Sequence, residues 1–232
     1  MAAPPKGALF DKSEEYEAML ARGLRLSGED RHYFIAGRLE ALRRWLGDDF
    51  RPRAILDFGC GIGDTAARFA SLYPDAEITG VDAAHGAVEH ARREHGSARV
   101  RFETLDVFRA NERYDLCYSN GVFHHIAPSE RVAAARLVRA ALAPRGRFAL
   151  MENNPWNPGA RWVMHRIPFD RDAIPIAPPR ARALLRDAGF AACAPARFLF
   201  FFPRALAWLR FAERPLAGVP LGAQYCVLAS RD

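Results

Sequence analysis

The sequence predicts an α/β fold: a doubly wound, mostly parallel sheet of seven strands, with a helical cap over residues 1–50 and an α/β domain over 51–232 that carries an insertion at about 153–179, after strand 5. Short apolar runs alternate with helix-length amphipathic stretches between residues 54 and 151. Strands joined by connections of that length lie parallel, and right-handed crossovers put helices on both faces of the sheet. Length and composition agree: 232 residues, 50% hydrophobic and 26% charged, suit one core of this size and exclude a disordered chain.

Two helical patterns open the chain, 13–26 and 29–46, divided by Ser27-Gly28, a stop signal followed by a start. In the second, Tyr33, Phe34, Ala36, Leu39, Leu42 and Trp45 recur near helical spacing, which marks an amphipathic helix lying on a larger body. Strand 54–58, helix 64–73, strand 76–81 and helix 84–95 follow. Strands 100–104 and 114–119, helix 129–142 and strand 147–151 then complete the alternating part. The segment 153–179 breaks the alternation with many prolines and two tryptophans, too long for a plain connection and hence a lid or acceptor-side loop. Helix 180–188, an apolar strand 198–202 and a last strand 225–229 close the chain.

Several function classes fall away on composition. The longest uncharged stretch, 215–230, holds two prolines and two glycines and is shorter than the roughly 18 apolar residues of a membrane span, so no spanning helix is expected. Residues 1–10 lack the apolar centre of a secretory signal, which points to the cytoplasm. Cys60, Cys117, Cys193 and Cys226 form no CxxC pair, so neither a disulfide framework nor a metal site is expected. The charge is uneven: residues 1–120 sum to −3 and 121–232 to +9. An anionic partner on the C-terminal side is one reading and solvated arginine-rich faces the other. No lysine-rich arm or basic stripe interleaved with aromatic residues is present, so nucleic acid is not an expected partner.

The run Asp57-Phe58-Gly59-Cys60-Gly61-Ile62-Gly63 joins a strand to a helix beginning at Asp64. Its glycines let the backbone turn sharply and approach a ligand, and the helix start offers N–H donors. Nineteen residues after Gly63, Asp82 ends the next strand, where a carboxylate can accept hydrogen bonds from both ribose hydroxyls. A nucleotide-like ligand is implied. A dinucleotide site is the competing reading, but it needs G-x-G-x-x-G, and Asp64 at this helix start would repel a pyrophosphate.

With Asp57-x-Gly59-x-Gly61-x-Gly63, Asp82, Leu105-Asp106-Val107 and the run from Tyr114 to Ile126, the chain resembles the class I S-adenosylmethionine-dependent methyltransferases over roughly residues 50–152. The resemblance implies a Rossmann-like fold, S-adenosyl-L-methionine as cofactor, and methyl transfer to a small-molecule acceptor by in-line displacement. It places the ribose on Asp82, the adenine amino group on Asp106, and the methionine part and ribose edge on the glycine loop. The cofactor set it implies is Asp57, Gly59, Cys60, Gly61, Gly63, Asp82, Ala83, Asp106, Val107 and Asn120. Two alternatives stand beside it: a lipid-like acceptor at a membrane surface, suggested by the apolar, arginine-bearing stretch 198–211, and a non-catalytic cofactor-binding scaffold.

Methyl transfer from a sulfonium is largely a matter of positioning and water exclusion, worth about 7–11 kcal/mol when two reactants are held in attack geometry. A base helps when the acceptor carries a proton. His124 and His125, after the fourth strand, are the candidates for that role with Glu152, and His124 is preferred by position. Adjacent histidines on a regular element cannot both point the same way, and a structural role for the pair is the alternative. Tyr16 and Tyr33 on the cap, and Asn153 and Trp156 in the insertion, are candidates for acceptor binding, with core packing and turn geometry as the competing readings.

Overall fold

The structure, a computed structural model, describes residues 27–167, 170 and 172–232. The candidate Tyr16 and the helical pattern 13–26 lie outside the described residues. In chain order the elements are α1 (Arg31–Leu46), β1 (Ala54–Phe58), α2 (Asp64–Leu72), β2 (Glu77–Asp82), α3 (His85–His95), β3 (Val100–Thr104), β4 (Tyr114–Asn120), α4 (Arg131–Ala141), β5 (Leu142–Asn153), α5 (Pro158–Arg166), α6 (Pro178–Asp187), β6 (Ala192–Cys193), β7 (Arg197–Leu199), a 3-10 stretch (Arg204–Ala212), α7 (Glu213–Leu216) and β8 (Gln224–Ser230).

The strands run β3-β2-β1-β4-β5-β8-β6, with β7 also on β8. Pairings from β3 to β5 are parallel, and β8 is antiparallel to β5, β6 and β7. The fold is therefore the doubly wound, mostly parallel sheet the sequence predicts, with eight strands rather than seven among the described residues. The expected strand 198–202 stops at Leu199 because Phe200 takes a left-handed φ of 62° and turns the chain away. The two residues of β6, too short to leave a periodic signal, pair with the other end of β8.

Each face of the sheet has its own core. On one, Ile35, Leu39 and Leu42 of α1 join Phe69 of α2 and Val88 of α3 over Ile55, Ile78 and Leu116. On the other, Val138 of α4 and Leu184 and Leu185 of α6 pack with Phe123 over Leu56, Phe148 and Leu150. Asp30 caps α1 by accepting a 2.8 Å hydrogen bond from the Tyr33 N–H. The insertion contains a helix that its prolines hid. Asn157 caps α5 through Ala160 N–H at 2.8 Å, and Pro158 occupies the first helical position, where its missing N–H costs nothing. No helix among the described residues is long and apolar enough to cross a membrane.

Between β1 and β4 the strand order reverses, with β2 on one side and β5 on the other. The loops after neighbouring strands part there, and ligands of such sheets sit in the resulting crevice.

Candidate active site

Three glycines after β1 divide the work of the loop. Gly59, Gly61 and Gly63 have φ of +79°, +52° and +92°, a region that ordinary residues enter only under strain. A Cβ on Gly59 would stand 2.1 Å from Val122, and one on Gly63 would press Phe102 and Ala91 at 2.8–2.9 Å. Both glycines serve close packing. At Gly61 nothing lies within 4 Å of an added Cβ, so this is where the bare backbone faces open space. Gly59→Ala is therefore expected to cost about 2 kcal/mol in urea unfolding, from strain and overlap together. Gly61→Ala should cost about half as much and act on ligand affinity instead; equal losses of stability would contradict this division.

The loop is stapled to the end of β2. Gly59 and Cys60 N–H groups donate to Val81 O at 2.7 and 3.1 Å. The Asp82 carboxylate accepts from Gly61 N–H at 2.8 Å through Oδ2 and from Ala84 N–H at 2.9 Å through Oδ1. Asp64, at the start of α2, is held by Arg31 at 3.0 Å and His95 at 3.5 Å.

This loop forms one wall of a cavity of about 930 Å³. Of the sequence candidates for cofactor contact, Asp57, Gly59, Cys60, Gly61, Asp82, Ala83 and Asn120 line it. Gly63 does not; it lies beneath as the start of α2. Asp106 and Val107 also stand outside the lining, both exposed, and Leu105 takes the place beside them in the wall. Under the loop sits a group of buried polar atoms without hydrogen-bond partners: Asp57 Oδ2, Asn120 Oδ1 and Arg38 Nε. Burial, reinforced by the Asp82 charge and opposed by Arg38, pushes the Asp57 carboxyl up to about 7. Burial likewise raises the Cys60 thiol well above its ordinary value, so it is not a reactive thiolate.

The far part of the cavity is aromatic and apolar. Tyr33 and Phe34 of α1, Phe200–Phe202 and, from α5, Trp162, Val163 and Met164 form it. Tyr33 packs on Phe34 and Phe200 with centroids at 5.3 and 5.9 Å, and the Arg210 guanidinium lies 4.5 Å over its ring. Asn153 lines the cavity and accepts from Gln224 at 3.0 Å. Trp156 is half exposed and outside the lining.

Between the two parts lie the histidines. They belong to a turn after β4, with His125 N–H donating to Val122 O and Ile126 N–H to Phe123 O, so the alternation of a regular element does not apply. Both reach Asp170: His124 Nε2 is 3.4 Å and His125 Nε2 3.2 Å from Asp170 Oδ1. His124 Nδ1 meets the Glu152 carboxylate, which also accepts from Phe123 N–H at 2.8 Å. Glu152 thus stands behind His124, 1% exposed and outside the cavity lining. Burial alone would lower the His124 pKa, but the Glu152 charge and the bonds to Asp170 and Glu152 overcome it and raise the group to about 10. Burial would raise Asp170, and the two histidines overcome that and lower it. Asp170 is the functional candidate that sequence reasoning missed, since nothing in its immediate neighbours ties it to histidines more than forty residues earlier.

A model of the family described as "Methyltransferase domain" matches residues 55–146, the segment from β1 into β5 that builds the glycine loop, Asp82 and the histidine turn. Over that segment the chain is similar to the methyltransferase-domain family. Among curated relatives, a malonyl-[acyl-carrier protein] O-methyltransferase of Acetivibrio thermocellus is 42% identical over 71 residues, 30% of this chain and 25% of the relative. A trans-aconitate 2-methyltransferase of Methylobacterium nodulans is 34% identical over 119 residues, 50% of this chain and 44% of the relative. The chain therefore spans between a quarter and less than half of these relatives. In overall fold the chain resembles a solved structure from Thermotoga maritima described as a SAM-dependent methyltransferase, possible histamine N-methyltransferase. The TM-score is 0.69 at 17% identity, covering 98% of this chain and 100% of the other.

Proposed function

We propose that this protein transfers a methyl group from S-adenosylmethionine to a small acceptor with an apolar body. One observation carries the reading: a single cavity is lined by both the stapled glycine loop and an aromatic wall, so cofactor and acceptor can meet in one cleft. The residues fit the cofactor chemically. Asp82 ends β2 and lines the cavity with a carboxylate, a group that accepts hydrogen bonds from ribose hydroxyls. Asp57 and Asn120 offer unpartnered acceptors to an ammonium group, and Arg38 an unpartnered donor to a carboxylate, together matching the amino-acid end of the cofactor.

When bound, the cofactor supplies a methyl group already activated on a sulfonium. The chain's part is to orient, to exclude water and to hold the acceptor. The aromatic chamber removes water from an apolar body, and a Tyr33 or Trp162 face adds attraction for positive charge of order 0.5–2 kcal/mol. His125, 24% exposed on its side chain, stands at the junction with Asp170 behind it, so it is the polar side chain best placed to meet the acceptor's reacting atom. Asn153 and Tyr33 belong to the acceptor wall. Relatives named for malonyl-carrier and trans-aconitate acceptors favour an acid, and Arg31 and Arg210, paired with Asp64 and Glu29, are basic residues lining the space.

Calorimetry with S-adenosylhomocysteine and turnover of S-adenosylmethionine over an acceptor series test the proposal. Affinity without turnover on any acceptor would favour the scaffold reading. Asp82→Ala is expected to weaken cofactor binding by about 1.5–3 kcal/mol, tenfold to a hundredfold, through lost hydrogen bonds to a charged group. Unchanged affinity would remove the ribose assignment.

A lipid-like acceptor is the second reading, favoured by Trp208 and Phe211, exposed at 71% and 78% on the 3-10 stretch that follows the cavity-lining Phe200–Phe202. Co-sedimentation with anionic vesicles, lost in Trp208→Ala, supports it; a protein that stays in the supernatant rejects it.

A further inference from the structure

Three side chains at the junction of the cavity converge in a way that acid–base chemistry does not require. His124 Nε2 and His125 Nε2 stand 3.4 and 3.2 Å from the same oxygen, Asp170 Oδ1, and one ligand atom from each residue falls within 4.8 Å of the others. Ligands held at about 2.0–2.2 Å around one transition-metal ion, at tetrahedral to octahedral angles, stand roughly 3 to 3.5 Å apart. Both histidine–aspartate separations already have that span. Two imidazoles and a carboxylate on one side of an ion, with the other side open, is a donor set that first-row divalent ions accept.

The surroundings fix this arrangement. Glu152 holds His124 by Nδ1 and thereby turns Nε2 toward Asp170, the carboxylate–histidine support that orients metal-binding imidazoles. The His124 main chain is tied by Ile174 N–H at 2.9 Å, and Arg131 ties the two loops together by donating to Ile126 O and Ile174 O at 3.0 and 2.7 Å. All three residues line the cavity.

We propose that His124, His125 and Asp170 form a binding site for a first-row divalent metal ion of the zinc type, with its free coordination positions turned to oxygen donors of the acceptor. The ion would sit on the Nε2 side of His124, opposite the Glu152 carboxylate that holds Nδ1. The acceptor part of this proposal rests on the methyl-transfer reading; the metal-binding part does not. Reading metal binding alone therefore keeps a failure of the one distinct from a failure of the other.

The test uses the full chain stripped with a chelator and titrated with Zn²⁺ by calorimetry and with Co²⁺ by visible d–d absorption. One equivalent should bind saturably, and Co²⁺ should show nitrogen-ligated spectra. Asp170→Asn and His125→Ala should each abolish that binding while circular dichroism stays that of the parent. His125 is partly exposed, so its replacement is the variant that best preserves the fold. Glu152→Gln should bind about 10–100-fold more weakly, as loss of the outer support does. His85→Ala and His95→Ala remove the histidine contacts to Asp106 and Asp64, which offer two ligands each, and should leave the equivalent in place. No saturable binding by the folded parent, or an equivalent that survives in both Asp170→Asn and His125→Ala, overturns the site.

Discussion

His124→Ala is expected to cost 3–5 kcal/mol of stability, the largest loss of any single change at the site. The cause is what it leaves behind. Glu152 and Asp170 are 1% and 7% exposed, and His124 lies between them with a hydrogen bond to each. Without the imidazolium, two carboxylates face each other across a hole with no solvent to shield them, a situation far costlier than the pair was stabilising. Urea unfolding of chelator-treated protein at neutral pH measures the loss. The double variant His124→Ala with Glu152→Gln should regain part of it, because neutralising Glu152 removes the charge that His124 balanced. A loss near 1 kcal/mol, or strictly additive effects, would show that the cluster is not held together by charge.

The same cluster shows what the sequence reveals and what it conceals. Strands β1 and β3 fall at 54–58 and 100–104 as expected, and α2 begins at Asp64, because in these stretches apolar periodicity and glycine punctuation agree. The proposed cofactor wall is legible for the same reason: its residues stand in short motifs at the ends of β1, β2 and β4. The proposed acceptor wall is assembled from α1, α5 and residues Phe200–Phe202, which meet only in the folded molecule. Asp170 reaches the histidines after β4 from the segment beyond α5, so no local spacing encodes it. Asp106 shows the converse, since its motif is visible in the sequence while its side chain stands exposed beside His85 at 3.7 Å. Helix α5 is hidden by the prolines that help to begin it, and β6 by its length of two residues.

Asp57→Asn is expected to raise stability and weaken cofactor binding together. The carboxyl is buried in β1 with Oδ2 unpartnered, and its pKa stands at about 7 against an ordinary 3.8. Below pH about 4 the group is protonated whether the chain is folded or not, and it costs nothing. As the pH rises from 4 to 7 the unfolded chain releases its proton while the folded chain keeps it, so stability falls across that window. Above 7 the penalty is complete, up to about 4 kcal/mol at 1.36 kcal/mol for each pH unit between the two values. Asparagine has the same shape and no proton to lose. Its advantage should therefore be about 1.6 kcal/mol at pH 5 and largest, about 4 kcal/mol, at pH 8, read from the shift in urea midpoint between variant and parent. The cost appears in ligand binding, where an amide replaces the carboxylate offered to the ammonium of S-adenosylmethionine and affinity drops tenfold or more, on the order of the 1.5–3 kcal/mol of a charged hydrogen bond. A group that destabilises the empty fold in return for a ligand contact is the pattern of a functional site. An advantage equal at pH 5 and pH 8 would mean that Asp57 is not held out of its ordinary ionisation; unchanged affinity would mean that the cofactor's ammonium lies elsewhere.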